Sequence, residues 1–386
     1  MIEKLVTSSL KMGVIAGGQL GKMLIQEASR WDITTYVLDP DEACSARNVV
    51  SQYVKGDVRN FDDVYAFGKQ VDLLTFELED VNIEALQKLK SEGLKIVPDP
   101  DILALIQDKG LQKEFYVKHN LPTSDFACYE DEEQIKEALD SGALAYPFVQ
   151  KLRKGGYDGH GVSVVKGENT SLLKGAFMVE GLVDIEKEIA VIAARNAKGE
   201  VRCFPAVEMT FNDETNLVEE VICPANITDA QSKEAEKLAH EIISKFHMVG
   251  LLAIEFFIDK SGNILINEVA PRPHNSGHHT IDSIVTSQLK QLLRAILDLP
   301  LGSTQLISSS VMLNLLGEPG YEGPVYYEGF EECMAIEGVK IHLYGKKSTR
   351  PFRKMGHVTI LSDSVEDALE KVKEVKKVLK VKSWEK

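Results

Sequence analysis

The chain has 386 residues, 44% of them hydrophobic, with 44 lysines and arginines against 59 aspartates and glutamates and a formal net charge of −15. That length and apolar content suffice for a sizeable core spread over two or three domains. The acidic excess excludes nucleic-acid or anionic-membrane binding through bulk charge and leaves room only for local basic pockets.

The opening MIEKLVTSSLK has neither a long apolar core nor a cleavage-like end, and no later apolar run reaches about eighteen residues, so a cytoplasmic protein is expected. From residue 12, apolar runs at MGVIA, TTYVL, DLLTF and KIV alternate with helical stretches such as GKMLIQEASR and NIEALQKLK. This rhythm predicts a doubly wound, Rossmann-like α/β domain over residues 1–107. Its first strand ends in AGGQLG, where Gly18 and Gly21 fit the last two glycines of a dinucleotide-type turn and Ala16 replaces the first. Asp39 lies where a ribose-binding acid would follow, so an NAD-binding oxidoreductase is one reading. Amides at a helix N-terminus serve any phosphate equally well.

At QDKGLQKEFYVKHNLPTS the rhythm changes to a helix that stops near Leu121-Pro122, which opens a second unit over residues 108–300. FVQKLRKGGYDGHGVSVV then reads as two strands around a basic glycine-rich loop. Gly155, Gly156, Gly159 and Gly161 let backbone amides approach phosphates, and Lys151 supplies a compact positive charge. FMVEGLVDIEKEIAVIAARNAKGEVRCFPAV predicts strands with a turn at AKGE. Residues 228–247 predict an amphipathic helix with a Thr228/Gln231 capping box, and its stripe of Ala235, Leu238, Ala239, Ile242, Ile243 and Phe246 is core packing. His240 and His247 are assigned to packing with it.

LLAIEFFIDKSGNILINEVA follows as a hairpin turning at Ser261-Gly262, which sets Glu255 opposite Glu268 with Asn267 beside them. Like charges directly opposite destabilise a sheet unless neutralised, and a hard divalent cation such as magnesium suits two carboxylates and an amide oxygen. Pro271 and Pro273 force the chain out of the sheet, presenting Arg272 and His274 beside the carboxylates. Asn275, Ser276 and Gly277 suit a tight turn with free amides, so the stretch reads as an anion pocket next to a metal site.

After a helix at about 282–297, DLPLGS breaks the chain, and VMLNLL, KIHLYG and GHVTIL predict a small β-rich domain over residues 301–386, closed by the helix SVEDALEKVKEVKKVLK. Lys346, Lys347, Arg350, Arg353 and Lys354 make a basic cluster there, suited to an anion. The cysteines at 44, 128, 203, 223 and 333 show no paired metal spacing and read as reduced, packed thiols.

NEVAPRPHNSGHHT at 267–280 closely resembles the corresponding loop of the 5-(carboxyamino)imidazole ribonucleotide synthases, purine-biosynthesis members of the ATP-grasp ligases. AGGQLG resembles that family's GGGQLG, TFELEDV its TYEFENV, KLRKGGYDGHG its KTRxGGYDGxG, and YGKKSTRPFRKMGH its YGKxxxRPxRKMGH, in the same order along nearly the whole chain. The resemblance implies an ATP-grasp fold for the central unit, with ATP and magnesium (or manganese) as cofactors and bicarbonate as a substrate. It implies ATP contacts at Lys109, where relatives often carry arginine, at Lys151, and in the lid at Gly156, Tyr157, Asp158, Gly159, His160 and Gly161. Glu180, Gly181, Leu182 and Val183 would face adenine, Glu188 the ribose, and Asn267 and Glu268 the metal-bound phosphates. Outside the resemblance, Glu180 and Glu188 read as exposed strand residues. The ribonucleotide would meet Gly18, Gln19, Leu20, Glu77, Arg153, Tyr157, Asp158, Arg272, His274, Asn275 and Ser276, with Lys346 and Arg353 on its 5′-phosphate.

Where many relatives place a histidine after the strand ending at Glu208, this chain has MTFND. The implied reaction is ATP-dependent carboxylation of 5-aminoimidazole ribonucleotide through carboxyphosphate, with Arg272, His274, Asp158 and Lys151 catalytic and the proton assigned to Asp158 or His274. A homodimer and transfer of product to the mutase that uses it are further implications. The alternatives are another ATP-grasp ligase, such as a formate-dependent glycinamide ribonucleotide transformylase, the NAD-binding oxidoreductase, and a non-catalytic nucleotide-binding protein.

Overall fold

A computed structural model describes residues 9–156, 161–212 and 217–384. Strands β1 (Lys11–Ile15), β2 (Thr34–Asp39), β3 (Gln52–Lys55), β4 (Leu73–Phe76) and β5 (Lys95–Ile96) form a sheet ordered β3-β2-β1-β4-β5. All four pairings are parallel. Helices α1 (Gln19–Ser29), α2 (Phe61–Gly68) and α3 (Ile83–Ser91) lie in its connections. The central strand β1 is buried along most of its length, hence its unbroken apolar run. Sequence reading misses β3 because QYVK is a short, partly exposed edge strand without apolar alternation. The strand order reverses between β1 and β4, so the loops after these two strands meet at a topological switch point. Ala16 there adopts φ of 70°; the turn keeps its left-handed residue without glycine, at a cost of about 1 kcal/mol.

Helices α4 (Pro100–Ile106) and α5 (Lys109–Lys118) lead into the second unit. Its smaller sheet, ordered β6-β9-β7-β8, is built from β6 (Phe126–Tyr129), β7 (Phe148–Leu152), β8 (Val162–Val165) and β9 (Phe177–Gly181), with α6 (Glu132–Asp140) after β6. The larger sheet begins with β10 (Ile185–Arg195), β11 (Val201–Cys203), β12 (Val207–Phe211) and β13 (Val218–Cys223). Thus the strand carrying Glu208 continues to Phe211, through the place expected for a histidine. Helix α7 (Asp229–Lys245) forms the predicted capping box and buries its predicted stripe. His240 and His247 are instead exposed, off that stripe. β14 (Gly250–Asp259) and β15 (Ile264–Ala270) complete the hairpin, followed by the short α8 (Thr280–Ser283) and α9 (Gln288–Ile296). The second helix starts later than predicted because the Ser287 side chain accepts from the Lys290 amide and caps it there.

The rest comprises β16 (Ser309–Leu316), β17 (Gly323–Glu328), α10 (Phe330–Met334), β18 (Val339–Leu343), β19 (Ser348–Thr349), β20 (Lys354–Ser362), α11 (Val365–Val378) and β21 (Lys380–Ser383). Its strands do not make a self-contained sheet. β16 pairs with β13, so the large sheet runs β15-β14-β10-β12-β13-β16-β20-β18 across the expected boundary, with β11 on β10. This pairing covers an edge that a separate sheet would leave open. A small β19-β17-β21 sheet stands beside it, and the final strand follows the predicted closing helix. Cys223 and Cys333 are buried and the other three cysteines partly so, all with free thiols.

Candidate active site

The hairpin pairs Glu255 with Glu268, by a route different from a symmetric turn. Gly262, at φ 84°, lies in a loop that pairs Ile258 with Ile264 and Phe256 with Ile266. Continued, that register would place Asn267 opposite Glu255. A bulge at Asn267 inserts one residue and brings Glu268 into that place. β10 pairs Ala190 with Glu255 and Glu188 with Phe257, so strand alternation puts Glu188 on the same face as the pair.

Three lysines face these acids. Lys109, the first residue of α5, donates to Glu268. Lys151 on β7 donates to Asn267 Oδ1 at 2.9 Å and pairs with Glu180 Oε2 at 2.6 Å. Buried Lys113 pairs with Glu180 Oε1 at 2.5 Å and donates to Ser124 Oγ at 3.0 Å. Sequence reading passed over Lys113; its i, i+4 spacing from Lys109, on one helix face, was the available signal. Glu180 is therefore buried in an ionic network rather than exposed. Burial opposes its ionisation, but Lys151 and Lys113 outweigh that and hold it down to about 2. Glu268 is held below the ordinary carboxylate range, chiefly by Lys109. Burial, then the charges of Glu268 and Glu188, push Glu255 well above that range. Burial also pushes Glu188 up to about 7.

These residues fit magnesium. The donor set is oxygen only, and the opposed carboxylates need a cation before both ionise. Among the described residues no cluster of three or more His, Cys, Asp or Glu forms a ready-made cage.

Beyond β15, Arg272 Nε pairs with Glu79 Oε1 at 3.0 Å, an acid the sequence reading did not single out. His274 Nε2 lies 3.4 Å from Glu255 Oε1, and its Nδ1 is 2.8 Å from Ser276 Oγ. Gln288 clamps the peptide of His274, accepting from its N–H at 2.9 Å and donating to its carbonyl at 2.8 Å. Two of the expected free turn amides are taken: Gly277 N–H donates to His274 O and Ser276 N–H to His274 Nδ1. Ser276 is buried, and the Asn275 side chain is bonded reciprocally to Asn314 on β16. The loop's side chains suited to an anion are Arg272 and His274. Burial depresses His278 and His279 and keeps both neutral in the core.

At the switch point, Glu77 accepts from the amides of Gly18 and Gly21, and burial pushes it up to about 7 against those bonds. Asp39 accepts from the amides of Gly17 and Asp41. The acid read as a ribose ligand for NAD is therefore spent on holding the turn, and the helix N-terminus already has its carboxylate. Gln19 and Leu20 remain partly accessible beside it. Lys346, brought down to about 8 by burial and then Arg353, lies within the field of Glu77. Arg353 donates to Ser348 O at 2.8 Å. Arg153 turns away from the hairpin and grips both oxygens of Asp108, at 3.0 and 2.9 Å. Gly161, at φ 79°, and Gly156 flank the lid, whose Tyr157, Asp158, Gly159 and His160 lie outside the described residues. Gly181 and Leu182 are exposed and Val183 partly so, beside Glu180.

Residues 9–107 match the ribonucleotide synthetase preATP-grasp domain, 114–289 the ATP-grasp domain and 310–371 the phosphoribosylaminoimidazole carboxylase C-terminal domain. The N5-carboxyaminoimidazole ribonucleotide synthase of Aquifex aeolicus is 35% identical over 379 residues, covering 96% of this chain and 97% of that protein. The chain belongs to the N5-carboxyaminoimidazole ribonucleotide synthase family. The solved synthetase from Thermotoga maritima is 45% identical with a TM-score of 0.89, covering 97% of this chain and 99% of that one. The Aspergillus clavatus synthase, solved with ADP and 5-aminoimidazole ribonucleotide, is 31% identical with a TM-score of 0.87 over 96% of this chain and 98% of that one. The phosphoribosylaminoimidazole carboxylase of Saccharomyces cerevisiae is 36% identical over 371 residues and 92% of this chain. The chain spans 64% of its length. Family membership and the spent Asp39 carboxylate together displace the oxidoreductase reading.

Proposed function

We propose that this chain uses ATP and bicarbonate to carboxylate the exocyclic amine of 5-aminoimidazole ribonucleotide, giving N5-carboxyaminoimidazole ribonucleotide, ADP and phosphate. The observation that carries the reading is the Glu255–Glu268 pair, with lysines on one side and the Arg272–His274 loop on the other. Nucleotide entry lets Lys109 and Lys151 exchange carboxylate and amide partners for phosphate oxygens. Glu255, Glu268 and Asn267 would hold magnesium, which would neutralise phosphate charge during γ-phosphoryl transfer. Bicarbonate oxygen attacks the γ-phosphorus and ADP leaves. Arg272, released from Glu79, offsets the charge of the carboxyphosphate.

The amine attacks the carboxyl carbon, or carbon dioxide set free from it, and phosphate leaves. His274 takes the amine proton in this reading, and Asp158 in the lid is the other acceptor. Glu180 to Val183 and Glu188 serve adenine and ribose; Gly18, Gln19, Leu20, Glu77, Lys346 and Arg353 serve the ribonucleotide. Arg153 joins them by exchanging Asp108 for the ribonucleotide. A cytoplasmic homodimer that passes its labile carbamate product to a mutase is part of the same reading. Among the described residues no helix is long and apolar enough to cross a membrane.

The test is ADP release with magnesium, ATP and bicarbonate, with and without the ribonucleotide, together with incorporation of labelled bicarbonate. Ribonucleotide-dependent release that Glu268→Gln abolishes without unfolding the protein supports the reading. Release indifferent to the ribonucleotide sinks the acceptor, and full turnover by Glu268→Gln sinks the metal assignment.

A further inference from the structure

The last residues of β18 are held by two other parts of the chain. Lys22, on α1, donates from Nζ to Leu343 O at 2.8 Å, across 321 positions of sequence. One residue earlier, His342 Nε2 meets Asp282 Oδ2, on α8, at 2.7 Å. Beyond this double tether come Tyr344, Gly345 and Lys346. Gly345 sits at φ 80°, a left-handed conformation that favours glycine, and a Cβ there would stand 3.2 Å from the Lys22 ammonium. Lys346 is braced by Lys354 O at 2.7 Å, and Tyr344 N–H donates to Met355 O at 3.0 Å. These bonds join the basic segment to the tethered end of β18.

Lys22 is equally fixed at its own end. It belongs to the first turn of α1, its N–H donating to Gly18 O at 3.0 Å, and the amides of Gly18 and Gly21 are anchored by Glu77. We infer that Lys22 is a positioning residue for the ribonucleotide: it sets the distance between the Glu77 end of the substrate site and its Lys346–Arg353 phosphate end, with Asp282–His342 fixing the same strand to the catalytic loop. This rests on the ribonucleotide reading above. Neither Lys22 nor Asp282 is assigned contact with the substrate. A ribose and a phosphate bound rigidly to one another sense any change in that spacing, whereas ATP, placed between the smaller sheet and the β10, β14 and β15 end of the large one, far along that sheet from β18, does not.

The experiment compares Lys22→Met, which keeps the stem and loses the donor, with Lys22→Arg, which keeps a donor. Lys22→Met raises KM for 5-aminoimidazole ribonucleotide about tenfold, the effect of losing one charge-assisted hydrogen bond. KM for ATP and kcat stay within about twofold, and Lys22→Arg recovers most of the loss. The dephosphorylated riboside, having no phosphate to place, is used equally by wild type and Lys22→Met. An unchanged ribonucleotide KM, or equal rises for ribonucleotide and ATP, overturns the inference. Should Lys22→Met not fold, Asp282→Asn carries the same test on the second tether. Calorimetric titration of ribose 5-phosphate separates this idea from the reaction: weaker binding to Lys22→Met supports the tether even if wild type shows no ribonucleotide-dependent turnover, and unchanged binding refutes it.

Discussion

On the proposed metal site, magnesium binding at the hairpin is coupled to proton release, and the size of the coupling follows from Glu255. Burial and the neighbouring charges of Glu268 and Glu188 keep its carboxyl protonated at neutral pH, whereas a carboxylate must be ionised to hold a hard cation. Binding manganese or magnesium with saturating ADP therefore expels close to one proton per site near pH 7. Below the pKa of the group, metal affinity falls about tenfold for each unit of pH, or about 1.4 kcal/mol. Calorimetric titrations in two buffers of different ionisation enthalpy read the proton count directly. Subtracting the same measurement on Glu255→Gln cancels the protons of the nucleotide itself. Proton release indistinguishable from that variant, with metal affinity level between about pH 6 and 8, would refute both the buried-acid argument and the assignment of Glu255 to the metal.

Removing the Lys113 charge leaves buried Glu180 with Lys151 as its remaining ionic partner, so Lys113→Met lowers unfolding free energy by up to about 3 kcal/mol in urea titrations. Adding Glu180→Gln restores more than half of that, whereas strictly additive losses would argue against the pairing. Glu77 and Glu188 have folded values raised to about 7 from an ordinary 4.5, so between those limits the folded protein keeps protons the unfolded chain has lost. Stability without ligand therefore falls as pH rises through that window, by up to about 1.4 kcal/mol per unit for each group, and goes on falling until Glu255, raised further, has also ionised. Denaturation midpoints at the two ends test the sign, and a midpoint that climbs with pH contradicts it. A Cβ on Gly277 would stand 2.3 Å from Ile192 Cδ1 and 2.6 Å from the Gln288 side chain. Gly277→Ala accordingly costs about 1–3 kcal/mol of stability and, by shifting the clamp on His274, lowers kcat more than it raises KM for ATP. A variant with wild-type turnover would show that the clamp has no part in positioning His274.

Local pattern by itself determined the elements and the ingredients of the site. Alternation of apolar runs with helical stretches foretold the parallel sheet at the N-terminus, because buried parallel strands are apolar throughout. The Thr228/Gln231 capping box and the stripe behind it formed as read, since both depend only on helix periodicity. Two glutamates either side of a glycine turn, followed by Pro-Arg-Pro-His, located the hairpin and its loop. Tertiary structure decided which partners those side chains keep. The Asn267 bulge, invisible to alternation, sets the carboxylates opposite one another. Arg153 settled on Asp108, Arg272 on Glu79, and the turn amides on His274, because a polar group drawn out of water takes the nearest partner whatever its place in sequence. The same physics joined β16 to β13 and made one sheet of two expected domains. It also buried Lys113 against Glu180 and set Lys22 against Leu343 O, contacts 67 and 321 positions apart respectively, beyond the reach of any local pattern.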